Sequence, residues 1–402
     1  MPKLAQLQYE PPENLQRFVG PGVAREAKLL AARGMLPLPP RDLAYVLFSL
    51  TRETDPELKD PAAKSLLKMP ENILKQLLED VKSHPLLLDF FSRNVPIDSP
   101  LQEIIALNRS THDETIAFQA LMPNKRLVDI ISENQLRILR NPDIVDALSE
   151  NPLTGQAQLD RILKFVALET RRAQKQAAVA DTMEVEIEEV EEPKEEKAET
   201  GESPEAEVEE VGAVTDEDEE VGAVTLGEES PWAKMTFDAD LLHDHQTMTD
   251  EELEEIESNL YKKIQNMKVS QKIKLAIAGG ANARALLIKD SNKMVSCAVL
   301  KSPRITENEI EAFTKSRSLA EDVIRIIANS KEWTKSYQVK LNLVQNPKCP
   351  QADCMRFLNF LRDKDLKDIA KSKNVSSNVA TQAKRMIQRK EEKSKPGQKK
   401  GH

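Results

Sequence analysis

The sequence of 402 residues predicts an all-α fold, in which two irregular α-solenoid blocks of helical repeats are joined by a disordered acidic linker. Apolar residues recur at helical spacing, helix-start signals precede them, and no run of alternating β-branched residues indicates a strand. Only 12 glycines stand against 23 prolines, and aromatic residues make up 4% of the chain. This composition disfavours nucleotide-binding α/β folds, which need glycine in phosphate loops, and aromatic-rich β-sandwiches and barrels.

Helical stripes of apolar residues occur on both sides of the linker. In the first half one stripe consists of Ile73, Leu74, Leu77, Leu78 and Val81. In the second half an equivalent stripe consists of Leu253, Ile256, Leu260, Ile264 and Met267. This second stripe follows a helix-start signal, because Thr249 is a candidate N-cap with Glu252 three residues later. We therefore predict amphipathic helices whose apolar faces pack together.

Further helix starts support the same fold. Thr306 and Glu309 have the spacing of a capping box. Ser99 and Cys349 each precede a proline, and proline is favoured at the first position of a helix. The core predicted from these helices comprises Leu66, Leu74, Leu77, Leu78, Ala147, Leu148, Ile162, Phe165, Ile256, Leu260, Val295, Ala298, Val323, Ile326, Trp333, Val339 and Leu343.

A weak internal repeat underlies these helices. Its three copies are residues 144–154, 295–306 and 339–347. Each copy is an apolar helix end followed by a break at Asn-Pro or Ser-Pro, and the first two have a new cap about three residues later. Two short helices per unit of about 27 to 44 residues is the layout of an α-solenoid, in which each pair buries its apolar stripe against its neighbours.

Charge is distributed unevenly along the chain and marks the linker. Residues 184–230 hold 21 acidic residues against two lysines, a local charge of -19, whereas residues 249–390 hold 27 basic and 17 acidic residues, or +10. Such an acidic stretch has too little apolar surface to offset the entropy of ordering. The predicted units are an extended proline-containing N-terminal segment (1–24), an N-terminal helical-repeat block (25–173), the acidic disordered linker (174–248), a basic C-terminal helical-repeat block (249–390) and a basic disordered tail (391–402).

The two blocks resemble HEAT-like and leucine-rich-variant α-helical repeat proteins of bacteria. The residues that carry the resemblance are 55–70 in the first block, and 288–295 with 301–306 in the second. The whole chain is similar to bacterial proteins in which two such blocks flank an acidic linker. The resemblance implies a binding or scaffolding role and supplies no catalytic residue.

The sequence assigns no catalytic, cofactor-binding or metal-binding residue. His243 and His245, with Asp238 and Asp240 nearby, make a metal site conceivable, but their spacing suits a strand or loop that nothing else supports. Cys349 and Cys354 supply two ligands where structural zinc needs four, so they are interpreted as a helix cap and a core contact.

Two further motifs have structural interpretations. Gly279-Gly280 lacks the preceding strand and the Gly-Lys-Ser/Thr ending of a phosphate loop, so it is interpreted as a turn between helices. Trp333, Tyr337 and Leu341 recur at helical spacing, and a core stripe is favoured over a platform for base stacking.

The basic C terminus is the remaining candidate site. Its possible contacts to a polyanion are Lys384, Arg385, Arg389, Lys390, Lys393, Lys395, Lys399 and Lys400. Such residues can neutralise phosphates, or they can form a solvated end without a ligand. We also expect the acidic linker to compete with an anionic partner for the basic block, so deletion of residues 184–230 should raise the affinity for polyanions.

The leading hypothesis is a non-enzymatic scaffold that binds an unidentified protein partner through two helical-repeat surfaces on a flexible tether. The alternative is a nucleic-acid-associated protein that binds through the basic C-terminal block and tail, with steep salt dependence. No apolar run is long enough for a membrane span, and the three cysteines give no disulfide framework. We therefore expect a cytoplasmic protein without a cofactor.

Overall fold

The computed structural model describes residues 3–188, 230–242, 259–372 and 374–394. Within these ranges every regular element is a helix, so the predicted all-α class is confirmed. None of the helices described is long and apolar enough to cross a membrane. Most of the predicted acidic linker, with the His243 and His245 pair, lies outside the described residues.

The helices follow one another with short connections. Before residue 189 they are α1 Gln16–Val19, α2 Arg25–Ala32, α3 Pro40–Thr51, α4 Pro56–Leu67, α5 Glu71–Glu79, α6 Pro85–Asn94, α7 Pro100–Leu107, α8 Asp113–Ala120, α9 Lys125–Glu133, α10 Gln135–Arg140, α11 Asp143–Glu150 and α12 Gln156–Glu188. After residue 229 they are α13 Pro231–Lys234, α14 Ala239–Leu242, α15 (described over 259–265), α16 Val269–Ala278, α17 Ala281–Leu287, α18 Lys293–Val299, α19 Glu307–Lys315, α20 Glu321–Asn329, α21 Tyr337–Gln345, α22 Gln351–Leu358, α23 Asp363–Lys371 and α24 Ser377–Ser394.

Neighbouring helices stack in two rows. In one row α5 packs against α7, α7 against α9 and α9 against α12. In the other row α6 packs against α8, α8 against α11, α11 against α16 and α16 against α18. The pairing of alternate helices buries Leu74, Leu77 and Leu78 of the first predicted stripe, whereas Val81 is exposed. Leu253 and Ile256 of the second stripe lie outside the described residues, and the α-solenoid arrangement itself stays a prediction.

The sequence left open whether the two helical blocks touch, and the structure places them in contact. One hydrophobic core extends from Ala106 in the first half to Ala383 in the second. Across the junction, the backbone nitrogen of Ser270 donates to the Asp146 carboxylate at 2.6 Å, and the same carboxylate accepts from the Ser270 hydroxyl at 3.1 Å. Helices α11 and α12 therefore pack directly against α16, although many residues separate them from it in the sequence.

Parts of the predicted linker (174–248) form helices. Helix α12 continues to Glu188, beyond the predicted boundary at 173. Residues 230–242 form α13 and α14, and Trp232 and Leu241 in this segment are buried in the shared core. Because the neighbouring residues are strongly acidic, the average composition of this part of the sequence did not reveal these apolar contacts.

The N-terminal residues also differ from the extended segment predicted for 1–24. They contain 3₁₀ turns at Leu4–Gln6 and Glu13–Leu15, followed by α1. Leu4, Leu15 and Val19 are buried in a second core cluster that reaches Ile105. These apolar side chains pack against the first helices.

A ladder of asparagines explains the internal repeat. Asn108, Asn151 and Asn346 occupy the breaks after α7, α11 and α21, and each Oδ1 accepts a hydrogen bond from the backbone nitrogen two residues later. Each Nδ2 donates to two backbone carbonyls of an earlier break. Asn108 donates to the carbonyls of Leu78 and Asp80, and Asn151 donates to those of Ala120 and Met122. Asn346 donates to the carbonyls of Thr314 and Ser316. At the Ser-Pro copy, the Ser302 hydroxyl donates to the Ile277 carbonyl at 2.8 Å. The repeat therefore encodes hydrogen bonds between stacked units.

Most predicted core residues are buried, with four exceptions. Phe165, Ile326 and Trp333 are only partly buried, and Ile256 lies outside the described residues. On α20 Val323 is buried as predicted, and Ile327 is buried where Ile326 was predicted.

Of the four predicted helix caps, Thr249 lies outside the described residues, and two of the other three agree with the structure. Thr306 forms the predicted capping box, and the Ser99 hydroxyl caps α7. At the third position Pro350, instead of Cys349, is the N-cap of α22.

Candidate interaction cleft

An open cleft of about 830 Å³ separates the later part of α12 from the breaks that follow α18 and α20. The first wall is one face of α12, formed by Leu168, Arg171, Arg172 and Lys175. These residues are spaced at i, i+3, i+4 and i+7, which places them together on a helix. The opposite wall consists of residues 300–303 and 305 and the pair 332–333.

Part of the cleft lining is apolar. Leu168 contributes from α12, and Leu300 and Ile305 contribute from the break after α18. Trp333 lies in the 3₁₀ turn Trp333–Lys335 after α20 and packs against the hydrophobic core while lining the cleft. The Ser302 hydrogen bond to the preceding unit fixes the turn that carries Leu300 and Ile305.

The rim of the cleft is cationic. Arg171, Arg172, Lys175 and Lys301 line it, and none of these four forms an ion pair with a side chain in the described part of the chain. Glu332 is the only carboxylate among the lining residues.

Other cations near the junction are paired within the fold. Buried Arg284 lies 2.9 Å from a Glu309 carboxylate oxygen, and Lys272 lies 3.0 Å from one of Asp290. These two cations are paired within the fold, whereas the four cations of the cleft form no ion pair among the described residues.

The cleft is lined by side chains that can bind a ligand, and few of them are of the types that act in catalysis. Its lining contains no histidine, cysteine or aspartate, so it offers no paired acid and base and no activated nucleophile. Arginine and lysine donors beside an apolar surface suit an anionic ligand that also carries an apolar group.

Groups outside the cleft also form no reactive cluster. Across the described ranges, no group of three histidine, cysteine or acidic side chains is placed to hold a metal ion. Asp238, one of the residues considered with the histidine pair, lies 2.8 Å from Lys263 Nζ. Cys297, Cys349 and Cys354 are buried free thiols, and burial raises the pKa of Cys297 to about 12. The Gly279-Gly280 pair forms the predicted turn between α16 and α17.

The polyanion contacts predicted from the sequence lie away from the cleft. On α24 the side chains of Lys384, Arg385, Arg389 and Lys390 are exposed, and Lys390 Nζ lies 2.6 Å from an Asp363 carboxylate oxygen. Lys393 is within α24, whereas Lys395, Lys399 and Lys400 lie outside the described residues. The structure brings together the four exposed cations of one helix, but it does not join them to the cations of the cleft.

The predicted aromatic stripe is divided between two elements. Trp333 belongs to the 3₁₀ turn, while Tyr337 begins α21 and Leu341 follows one turn later. All three side chains are partly buried and pack on the core. They therefore act as the predicted core contacts, although Trp333 also faces the cleft.

Sequence reasoning missed the cleft residues because the two walls come from distant parts of the chain. The spacing of Leu168, Arg171, Arg172 and Lys175 was a visible signal for a mixed apolar and cationic helix face. Lys301 and Trp333 join that face only through the packing of α12 on α18.

Comparisons of the chain with models of protein families, with curated proteins and with solved structures found no match. The chemistry of the cleft is therefore argued from its own residues.

Proposed function

We propose that this protein is a non-enzymatic interaction protein that binds an acidic segment of a partner protein in the cleft beside α12. One observation carries the proposal: four cations without ion pairs among the described residues surround an apolar surface that contains Trp333. An acidic peptide with an apolar side chain satisfies both features of this site. The sequence-based hypothesis placed two helical-repeat surfaces on a flexible tether. In this proposal the two surfaces are two faces of one packed body.

The proposed recognition combines orientation by charge with anchoring by apolar contact. Arginine donates paired hydrogen bonds to a carboxylate, so Arg171 and Arg172 are suited to acidic side chains spaced along a peptide. Trp333 is suited to an apolar or aromatic anchor, because tryptophan is enriched among the residues that dominate binding energy. Charge at the rim accelerates association and makes it sensitive to salt.

A second candidate function is nucleic-acid binding, and the charge of the second half favours it. Residues 259–390 hold 27 basic residues and 11 acidic ones, and exposed cations of α24 add a helical surface away from the cleft. Phosphate contacts from such a surface would weaken steeply as salt rises.

The experiment measures binding of two labelled probes to the full-length protein by fluorescence anisotropy. One probe is an acidic peptide of Glu and Asp residues around a single Phe, and the other is a single-stranded oligonucleotide of equal charge. We compare Arg171→Glu with Arg172→Glu together against a matched double reversal on α24, Lys384→Glu with Arg385→Glu. The proposal expects the cleft reversal to weaken peptide binding at least about tenfold and the α24 reversal to leave it unchanged.

Two results would reject the cleft as the binding site. If the cleft reversal leaves the affinity for the peptide unchanged, the cleft is not the binding site. Tighter binding of the oligonucleotide than of the peptide, lost on the α24 reversal, would make nucleic acid the ligand. Deletion of residues 189–229 is a further arm, because the proposed competition by the acidic stretch predicts tighter peptide binding without it.

The proposal also includes the finer features expected from the sequence. Stacked helix pairs are the arrangement of an α-solenoid of HEAT-like units, and the extended surface of such a fold suits a scaffold role. A cytoplasmic location is consistent with three buried free cysteines.

A further inference from the structure

Residues 230–242 lie in a groove at the junction of the two halves as a short peptide would. The one-turn helix α13 contacts α10 and α12, and α14 contacts α16 and α17. Trp232 is 0% exposed, and its indole Nε1 donates to the Ile138 carbonyl of α10 at 3.2 Å. The largest side chain of the segment is thus enclosed, with its single polar group satisfied.

Lys274 of α16 holds the backbone of this segment. Its Nζ donates to the carbonyls of Ala233 at 3.2 Å and Met235 at 2.5 Å, and it lies 5.8 Å from the centre of the Phe237 ring. The lysine side chain is 7% exposed, and burial lowers its pKa to about 8. A buried ammonium group directed at two carbonyls at the end of the one-turn helix α13 binds the main chain without requiring particular side chains at those positions.

The Gly279-Gly280 turn provides the third contact. The backbone nitrogen of Gly280 donates to the Leu241 carbonyl at 3.1 Å. A Cβ atom on Gly279 would lie 3.2 Å from that same carbonyl oxygen and 2.5 Å from the carbonyl oxygen of Leu275. Glycine at this position therefore leaves the space in which the end of the segment lies against the turn.

The walls of the groove are held together without the segment. Helices α11 and α12 pack directly on α16, and the Asp146 carboxylate bonds Ser270 across the junction. Lys268 Nζ also lies 2.9 Å from an Asp143 carboxylate oxygen. Since these contacts do not involve residues 230–242, the groove is a formed site into which the segment is placed.

We infer that this groove is a peptide-recognition site, separate from the cleft, whose ligand is a short segment with a buried tryptophan, two backbone carbonyls for Lys274 and an apolar residue for the glycine turn. Residues 230–242 fill it within the same chain. The same segment from a second copy fills it when the internal segment is weakened. This inference does not depend on the proposed function, because none of the cleft residues lines the groove.

The test uses the full-length protein and a fluorescein-labelled synthetic peptide with the sequence of residues 230–242. Wild type has its groove filled by the tethered segment, so it should bind the peptide weakly. The Trp232→Ala variant should bind at least about tenfold more tightly, because the internal competitor has lost its anchor. A peptide with alanine in place of the tryptophan should lose this binding, and so should a protein that carries Lys274→Met together with Trp232→Ala.

Equal binding of the peptide to wild type and to Trp232→Ala would overturn the inference, because the peptide would then bind elsewhere. Absence of binding to a folded Trp232→Ala protein would overturn it as well, since the segment would be an inseparable part of the fold. If circular dichroism shows that Trp232→Ala is unfolded, Trp232→Leu retains an apolar anchor and is tested with the same two criteria. The cleft reversal Arg171→Glu with Arg172→Glu should leave peptide binding to the groove unchanged.

Discussion

The two tryptophans of the chain mark two surfaces with opposite properties. Trp232 lies in a groove that the chain itself fills, where its side chain is enclosed and its indole nitrogen donates to a backbone carbonyl. Trp333 lies in an open cleft, where it is partly buried and no segment of the described chain covers it. Trp232 is therefore covered by its own chain, whereas the proposed cleft site combines uncovered apolar surface with cations that form no ion pair among the described residues.

The cations of the two surfaces differ in the same way. Lys274 in the groove donates to two carbonyls of the segment that fills it. Arg171, Arg172 and Lys301 in the cleft form no ion pair within the described part of the chain. Lys274 therefore has partners within the chain, whereas the cleft cations have no ion-pair partner among the described residues.

The largest expected difference is the effect of each tryptophan on stability. Trp232→Ala should lower the free energy of unfolding by about 3–5 kcal/mol, because it empties a fully enclosed site. Trp333→Ala should cost about 1 kcal/mol, since its side chain is already partly exposed. Urea denaturation followed by circular dichroism measures both, and equal losses would remove the distinction between the two surfaces.

A smaller effect is expected at the asparagine ladder. Asn151→Ala leaves the carbonyls of Ala120 and Met122 without their side-chain donor and should cost about 1–3 kcal/mol. Asn359, which is exposed and donates only a 3.5 Å bond to Arg356, is the matched control. Its replacement by alanine should change stability by less than about 0.5 kcal/mol. If the two variants melt alike, the ladder is not what stabilises the stacked units.

The pH dependence of stability reports on Lys274. Burial lowers its pKa from 10.5 to about 8, so between pH 8 and 10.5 the unfolded chain binds more protons at this residue than the folded chain does. Stability from this group therefore rises with pH across that window and is constant below it. Wild type should gain stability relative to Lys274→Met between pH 7 and pH 10, measured by urea denaturation at each pH. A constant difference between the two proteins would show that this lysine is not desolvated.

The smallest stability effect is expected in the cleft. Arg171→Glu and Arg172→Glu alter exposed side chains that have no partner among the described residues. They should change the free energy of unfolding by less than about 0.5 kcal/mol, in the same denaturation assay. A loss comparable with that of Asn151→Ala would mean that these arginines support the fold instead of a ligand.

Local patterns made much of the fold predictable. The stripe of Leu74, Leu77 and Leu78 and the Thr306 capping box depend on residues within two helical turns, and both are present in the structure. The Asn-Pro repeat was also visible, but its hydrogen bonds reach carbonyls far away in the sequence, as between Asn151 and Ala120, which are 31 residues apart. Its role could be seen only once the units were stacked.

The two proposed binding surfaces could not be predicted for a related reason. Trp232 follows a strongly acidic stretch, and this composition assigned it to the linker although it is enclosed in the core. The cleft requires Arg171 and Lys301 to meet across the packing of α12 on α18. Periodicity locates a cationic helix face, but it does not tell which distant turn lies opposite to it.

The most direct test of the cleft uses Trp333 as the only tryptophan, in a Trp232→Phe protein. The acidic peptide with a single Phe is titrated into this protein while the tryptophan emission is recorded. Binding in the cleft should shift the emission of Trp333, and Arg171→Glu with Arg172→Glu in the same background should abolish the shift. Binding of the peptide, seen by anisotropy, without any change in Trp333 emission would contradict the cleft as the interaction site.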